Sequence, residues 1–188
     1  YCSISWHFNK SFQEIAGLSL AVSVGVTMLL EELGVKELEL KWPNDVLWQG
    51  KKLIGVLLEM HGESSGPCTT VIGVGVNYNM SKLNVDIDQP WCDLNSILKT
   101  LPARNNVAAK LIDKLITTIQ LFDDKGLDAF LELWRSYDVL QNKSIMIKKL
   151  DSIEHGIARG IDHSGALLVE QSGVVSPLYS GDVSIRLN

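Results

Sequence analysis

Over the first eight residues apolar Cys2, Ile4, Trp6 and Phe8 alternate with Tyr1, Ser3, Ser5 and His7. That period of two predicts a strand with one packed face and one polar or ligand-facing side. Ser11-x-x-Glu14 is a capping box, in which each side chain can satisfy an orphan amide of a first helical turn. The apolar run behind it predicts a long helix reaching Leu33, and Gly34 can take the left-handed conformation that ends it. Alternation returns in Leu38-Glu39-Leu40-Lys41-Trp42, and residues 46–48 and 53–60 flank Gln49-Gly50, a hairpin signal. Residues 63–67 read as a loop and 69–78 as a third apolar strand, within which Gly73 and Gly75 mark close approach of backbone or ligand. Residues 81–104 read as a mostly irregular connection.

Two helices are expected at 107–122 and 127–137, split by the breaker Gly126. From about Asn142 the pattern changes to short strands at 144–149, 155–161, 166–170 and 183–187, with turns at Asp162-His163-Ser164-Gly165 and Ser172-Gly173. Closely spaced short strands predict a small β-barrel. The chain thus divides into residues 1–141 and 142–188, with no internal repeat and no low-complexity segment.

With 188 residues, 46% hydrophobic content and a net charge of −5, the chain has enough apolar material for a core. The acidity argues against a nucleic-acid binder, because phosphate affinity needs a clustered basic face and only Lys51-Lys52 and Lys148-Lys149 are adjacent basic pairs. Cys2, Cys68 and Cys92 are odd in number and lack C-x-x-C spacing, so they read as free thiols of a reducing, cytoplasmic compartment. No apolar run reaches the ~18 residues of a membrane span, and no signal peptide is visible. His7, His61, His155 and His163 are dispersed, so no metal cluster is expected. Because Tyr1 is not an initiator methionine and a strand begins at once, an N-terminal part is expected to be missing.

The candidate chemistry lies in Lys41-Trp42-Pro43-Asn44-Asp45, Lys51-Lys52-Leu53-Ile54-Gly55 and Gly73-Val74-Gly75-Val76-Asn77. Lys52 alone would be a solvated hairpin lysine. Beside a Pro-Asn-Asp cluster, with Gly55 close behind, its ammonium could neutralise a phosphate and a carboxylate together. Asn44 and Asp45 suit a turn as well as a site. An Asn amide can also pair bidentately with adenine, and Asn77 offers the same chemistry. Gly73-x-Gly75 lacks the third glycine and the helix start of a dinucleotide fingerprint, so thin strand walls beside a ligand are the better reading.

In this order the segments resemble the biotin protein ligases (biotin–acetyl-CoA-carboxylase ligases). Further matches are Ala158-Arg159-Gly160-Ile161-Asp162, Gly165 through Glu170, and Ser180-Gly181-Asp182-Val183-Ser184. The resemblance implies an α+β catalytic domain with a mixed sheet, related to class II aminoacyl-tRNA synthetases, followed by an SH3-like barrel. It implies that biotin and ATP, with Mg2+, give biotinyl-5′-AMP and pyrophosphate, after which biotin passes to a lysine of a biotin carboxyl carrier protein. Lys52 matches the family's essential lysine, contacting biotin and the activated phosphate. Asn44 and Asn77 match adenine-side residues, and Tyr1, Ser3, Gly55, Leu57 and Gly73 match positions lining the biotin pocket. Asp45 belongs to the motif as an orienting group or base toward the carrier lysine. The family's Ser-Thr-Asn segment and Gly-Arg-Gly-Arg loop are absent from these residues, so the stretch alone is expected to bind ligand poorly. A homodimer through a sheet edge is compatible with the family, and nucleic acid would enter only through an upstream DNA-binding domain. The alternatives are a lipoate–protein ligase and a biotin-responsive regulatory module without turnover.

Overall fold

A computed structural model of the chain describes residues 1–62, 65–80, 89–181 and 183–187. Residues 63–64 of the loop expected at 63–67, residues 81–88 of the connection expected at 81–104, Asp182 and Asn188 lie outside them. The alternating first residues form β1 (Cys2–Phe8), and the following apolar run forms α1 (Leu18–Glu32). The capping box does close, since Ser11 N donates to Glu14 Oε2 at 2.8 Å and Glu14 N to Ser11 Oγ at 3.4 Å. It caps a turn rather than the helix. α1 starts only after Gly17, where a Cβ would lie 2.7 Å from Leu127 Cδ2. At its other end Gly34 has φ 95°, Gly34 N donates to Glu31 O and Val35 N to Leu30 O, the paired bonds of a Schellman stop.

β2 (Leu38–Lys41), β3 (Asp45–Trp48), β4 (Lys51–Gly62) and β5 (Cys68–Val76) complete a five-stranded sheet in the order β1-β5-β4-β3-β2. Gln49 and Gly50, both at positive φ, make the tight turn between β3 and β4. The sheet is not mixed as the resemblance implied, because every described strand pair is antiparallel. From β2 to β5 each strand pairs antiparallel with the next in the chain, and the parallel contacts are isolated bridges, Leu40 with Asp138 and Lys52 with Trp91. One sheet face carries Phe8, Ile54, Val56, Ile72 and Val74 into a core shared with α1, α3 (Arg104–Lys125) and α4 (Asp128–Tyr137). The other face carries Ser3, Ser5, Gly55, Leu57, Gly73 and Gly75.

The connection expected to be irregular holds a short helix, α2 (Leu94–Ile97), capped reciprocally by Asp93 and Ser96. Four residues are too few to show a helical period, though Asp93-x-x-Ser96 resembles a capping box.

The second unit comprises β6 (Ser144–Lys148), β7 (Ile153–Ile161), β8 (Leu167–Gln171), β9 (Val174–Leu178) and β10 (Ser184–Leu187), ordered β10-β6-β7-β8-β9. The predicted closed barrel is an SH3-like open sheet, since among the described residues β9 and β10 do not pair with each other. β9 escaped prediction because it contains Pro177 and is mostly exposed, so it shows no inward period. Among the described residues no helix is long and apolar enough to cross a membrane.

Candidate active site

The key local event is a bulge in β4. Asp45 pairs with Gly55 and Val46 with Ile54, but Leu47 pairs with Lys52, leaving Leu53 as an extra residue. In an unbroken strand Lys52 would share the parity of Ile54 and Val56 and point at the core. The extra residue reverses this, so that Leu53 is fully buried and Lys52 lies over Gly55 on the open face. A Cβ added at Gly55 would lie 3.0 Å from Lys52 Cε and 3.2 Å from its Nζ. Glycine therefore makes the room in which the lysine lies.

Lys52 Nζ stands 2.5 Å from Asp45 Oδ1, with the side chains 29% and 14% exposed. Among the described residues this ammonium is the partner of that oxygen, which accepts no hydrogen bond from another group. Neighbouring backbone pins the lysine: Lys52 N donates to Pro90 O, and Cys92 N to Lys52 O. Burial pushes the Cys92 thiol up to about 11, which disfavours the thiolate at ordinary pH.

Asn44 and Asn77 flank this group. Asn44 Nδ2 donates to Val56 O at 2.6 Å, and Val56 N donates back to Asn44 O. Asn77 Nδ2 donates to Lys52 O at 3.1 Å and to Cys92 O at 3.0 Å, which uses both of its donor hydrogens. The Asn77 amide thus ties the end of β5 to the Lys52 and Cys92 backbone, and among the described residues its oxygen is the part left for a ligand. The peptide between Trp42 and Pro43 is cis.

The pocket positions expected from sequence fall in two rows across the open face. Ser3, Gly73 and Leu57 are register partners on β1, β5 and β4. The Tyr1 ring lies against Gly75, where a Cβ would sit 3.1 Å from its Cε1, and Gly75 pairs with Gly55, which pairs with Asp45. Leu57 is 61% exposed. A single exposed leucine is ordinary. Beside glycine walls on two strands it makes a shallow apolar strip leading toward Lys52.

Two cations were missed by the sequence reading. Lys41, Asp45, Lys52, Gln89, Pro90, Val139, Arg186 and Leu187 line a cleft of about 260 Å³ between the first sheet and the last strand. Burial pulls the Lys41 ammonium below the usual lysine range; Asp45 opposes that, while Arg186 and Lys52 push with it. Three cations therefore face one carboxylate, a balance that suits a polyanion. Lys41 opens the Lys41-Trp42-Pro43-Asn44-Asp45 run, but from sequence it reads as the polar position of an alternating strand. Arg186 lies 134 residues from Lys52 (186 − 52), and only tertiary structure brings them together. Among the described residues no three His, Cys, Asp or Glu side chains converge as a metal site.

Comparison with known proteins agrees with this architecture. The profile described as Biotin/lipoate A/B protein ligase family matches residues 1–77, and that described as Biotin protein ligase C terminal domain matches 142–186. The bifunctional ligase/repressor BirA of Salmonella typhimurium is 37% identical over 187 residues, 99% of this chain and 58% of that protein. The Escherichia coli protein of the same description is 35% identical over the same shares. The chain thus spans a little over half the length of these relatives. A solved structure, biotin protein ligase from Aquifex aeolicus in complex with biotin and ATP, superposes with a TM-score of 0.82. It shares 24% identity and the match covers 99% of this chain and 78% of that one, a likeness of fold.

Proposed function

The chain belongs to the biotin protein ligase family, and from that premise we propose that it carries the activating site of an enzyme that uses ATP to attach biotin to a carrier protein. Biotin and ATP would give biotinyl-5′-AMP and pyrophosphate, and the biotin would then pass to a lysine of a biotin carboxyl carrier protein. The observation that carries this reading is the bulge-reversed Lys52, lying on Gly55 and held by Asp45 in a cleft with two more cations.

In the first step a biotin carboxylate oxygen attacks the α-phosphorus, the bond from that phosphorus to the bridging oxygen breaks, and pyrophosphate leaves with the electron pair. The acid is already ionised at neutral pH, so the step needs no base. It needs two anions brought into line and their charge offset. Lys52 lies where the apolar strip meets the cationic cleft, and Asp45 presets its ammonium. Lys41 and Arg186 would take the pyrophosphate side. Tyr1, Ser3, Gly55, Leu57 and Gly73 would wall the biotin. Asn44 and Asn77 would stand on the adenine side, Asn77 through its oxygen, an acceptor for the exocyclic amino group.

In the second step the neutral amine of the carrier lysine attacks the biotinyl carbonyl, AMP leaves, and the nitrogen gives up a proton. The tight pair with Lys52 supports an orienting role for Asp45 over that of a free base. The described residues present no carboxylate cluster for a resident magnesium. A Mg2+ ion would arrive on the triphosphate, largely hydrated, and supply charge neutralisation there. The free thiols fit a cytoplasmic setting, and β1, an edge strand among the described residues, offers a pairing edge for a homodimer. Lipoate ligases share the profile of residues 1–77, but the C-terminal match is to the biotin branch, which favours biotin.

Biotin-dependent exchange of pyrophosphate into ATP by the full-length protein tests this reading. Lys52→Ala should lose on the order of 3 kcal/mol of transition-state stabilisation, roughly 100-fold in rate or more. Undiminished exchange in that variant, or lipoate outcompeting biotin, would overturn it.

A further inference from the structure

The second domain is attached to the first through the same short segment that floors the cleft. Val139 N, on the linker between the domains, donates to Leu40 O at 3.0 Å. Two residues on, the indole Nε1–H of buried Trp42 donates to Gly165 O at 3.0 Å. Lys41, between the two attachments, lines the cleft, and Asn44 and Asp45 follow at once.

The acceptor is built for close docking. Asp162 Oδ1 accepts from Ser164 N, Ser164 Oγ and Ala166 N, which fixes the turn between β7 and β8. Gly165 has φ 83°, and a Cβ there would lie 2.8 Å from Leu20 Cδ1 and 3.3 Å from Gly17 Cα. The turn therefore seats directly on α1. Beside it, the exposed His163 Nδ1 lies 2.8 Å from Asp128 Oδ1.

Arg186 is carried by β10, which stands two strand positions from β7 and three from β8. At about 4.8 Å per strand, β10 stands roughly 10–14 Å from the Gly165 turn. Loss of the Trp42–Gly165 bond would free that turn to shift against Trp42, and a displacement of about 2 Å carried through the sheet to β10 is enough to lose a phosphate contact. The Trp42 bond, with the Gly165 seat on α1, opposes that displacement.

We propose that Trp42 is a positioning residue: its indole N–H, bonded to the Gly165 carbonyl, locks the second domain so that Arg186 stands in register with Lys41 and Lys52 in the cleft. This rests on the reading of that cleft as the phosphate side of an ATP site. Trp42 touches no reacting atom in this proposal and acts through Arg186.

The test is a double-mutant cycle read by titration calorimetry of ATP, and separately of biotin, on the full-length protein. Trp42→Phe should weaken ATP about five-fold, the worth of one hydrogen bond, and leave biotin affinity unchanged. Arg186→Met should weaken ATP at least as much. Combined, the two should cost no more than Arg186→Met alone, because the lock matters only for the arginine it places. Independent, multiplicative losses would overturn the lock, as would equal weakening of biotin and ATP. If Trp42→Phe fails to fold, β-(3-benzothienyl)alanine at position 42 keeps the bicyclic shape, lacks the N–H and should give the same pattern. Absence of pyrophosphate exchange in the unaltered protein would sink the proposed function, whereas the ATP cycle reads the lock without turnover.

Discussion

Two sets of glycines serve opposite purposes. In the first, Gly55, Gly73 and Gly75 lie inside strands at backbone angles any residue adopts, and what their missing side chains leave is space on the open face. In the second, Gly160, Gly165 and Gly173 all sit at positive φ, and what they supply is conformation. On the proposed function the difference separates glycines that would accommodate a ligand from glycines that set backbone conformation, of which Gly165 also docks on α1. Filling a strand glycine should damage binding or chemistry and spare the fold. Filling a docking glycine should damage the fold first.

The sharpest test of that contrast is Gly55→Ala. The new methyl would meet the far end of the Lys52 side chain, which can swing away at little cost to stability. Leaving its place means leaving Asp45. We expect stability to urea unchanged within about 0.5 kcal/mol, and pyrophosphate exchange down by roughly 100-fold, close to the loss of Lys52 itself. An alanine variant that is destabilised yet fully active would make Gly55 a structural residue and erase the contrast.

That glycine also shows where the sequence was legible and where it was not. Alternation in β1, the Gly34 stop and the Gln49-Gly50 turn are local events, each encoded within a few residues, and each was readable. The bulge at Leu53 is not local. It is settled by the register of β3 against β4 and by the Pro90–Cys92 strip alongside Lys52, so no periodicity in 51–60 could say which way Lys52 points. The residue types of the site were recognisable as an ordered series, while the cationic cleft was not, since Arg186 reaches it only through interdomain docking. The same cause explains the amides. Asn44 and Asn77 read as ligand groups from composition, and only the fold shows how much of each is already bonded to backbone.

The docking side of the comparison is sharpened by Gly165→Ala. The substitution forces an L side chain to φ 83° and drives its Cβ to 2.8 Å from Leu20 Cδ1. Left-handed backbone costs about 1–2 kcal/mol, and the overlap adds to it unless α1 yields. We expect a loss of about 2 kcal/mol in denaturant unfolding. Gly173→Ala is the control, because Gly173 has a similar φ of 80° but nothing within 4 Å of its would-be Cβ. It should lose only the backbone part, about 1 kcal/mol. Equal losses at the two positions would mean that the turn's seat on α1 contributes nothing measurable.

The smallest effect is expected at Gly75→Ala, where the two uses of glycine are hardest to tell apart. A Cβ there would come within 3.1–3.3 Å of the Tyr1 ring, and the ring is fully exposed and free to tilt. No buried neighbour has to move, so stability should change by less than about 0.5 kcal/mol. A tilted ring would narrow the strip that runs from Leu57 and Gly73 toward Lys52, and biotin titrated calorimetrically into the full-length protein should bind about three-fold more weakly. ATP affinity should hold, because the cationic cleft lies at the other end of the Asp45–Gly55–Gly75 row. Loss of stability above about 1 kcal/mol with biotin affinity intact would place Gly75 with the docking glycines, and the division between the two sets would fail at the strand where it is drawn most finely.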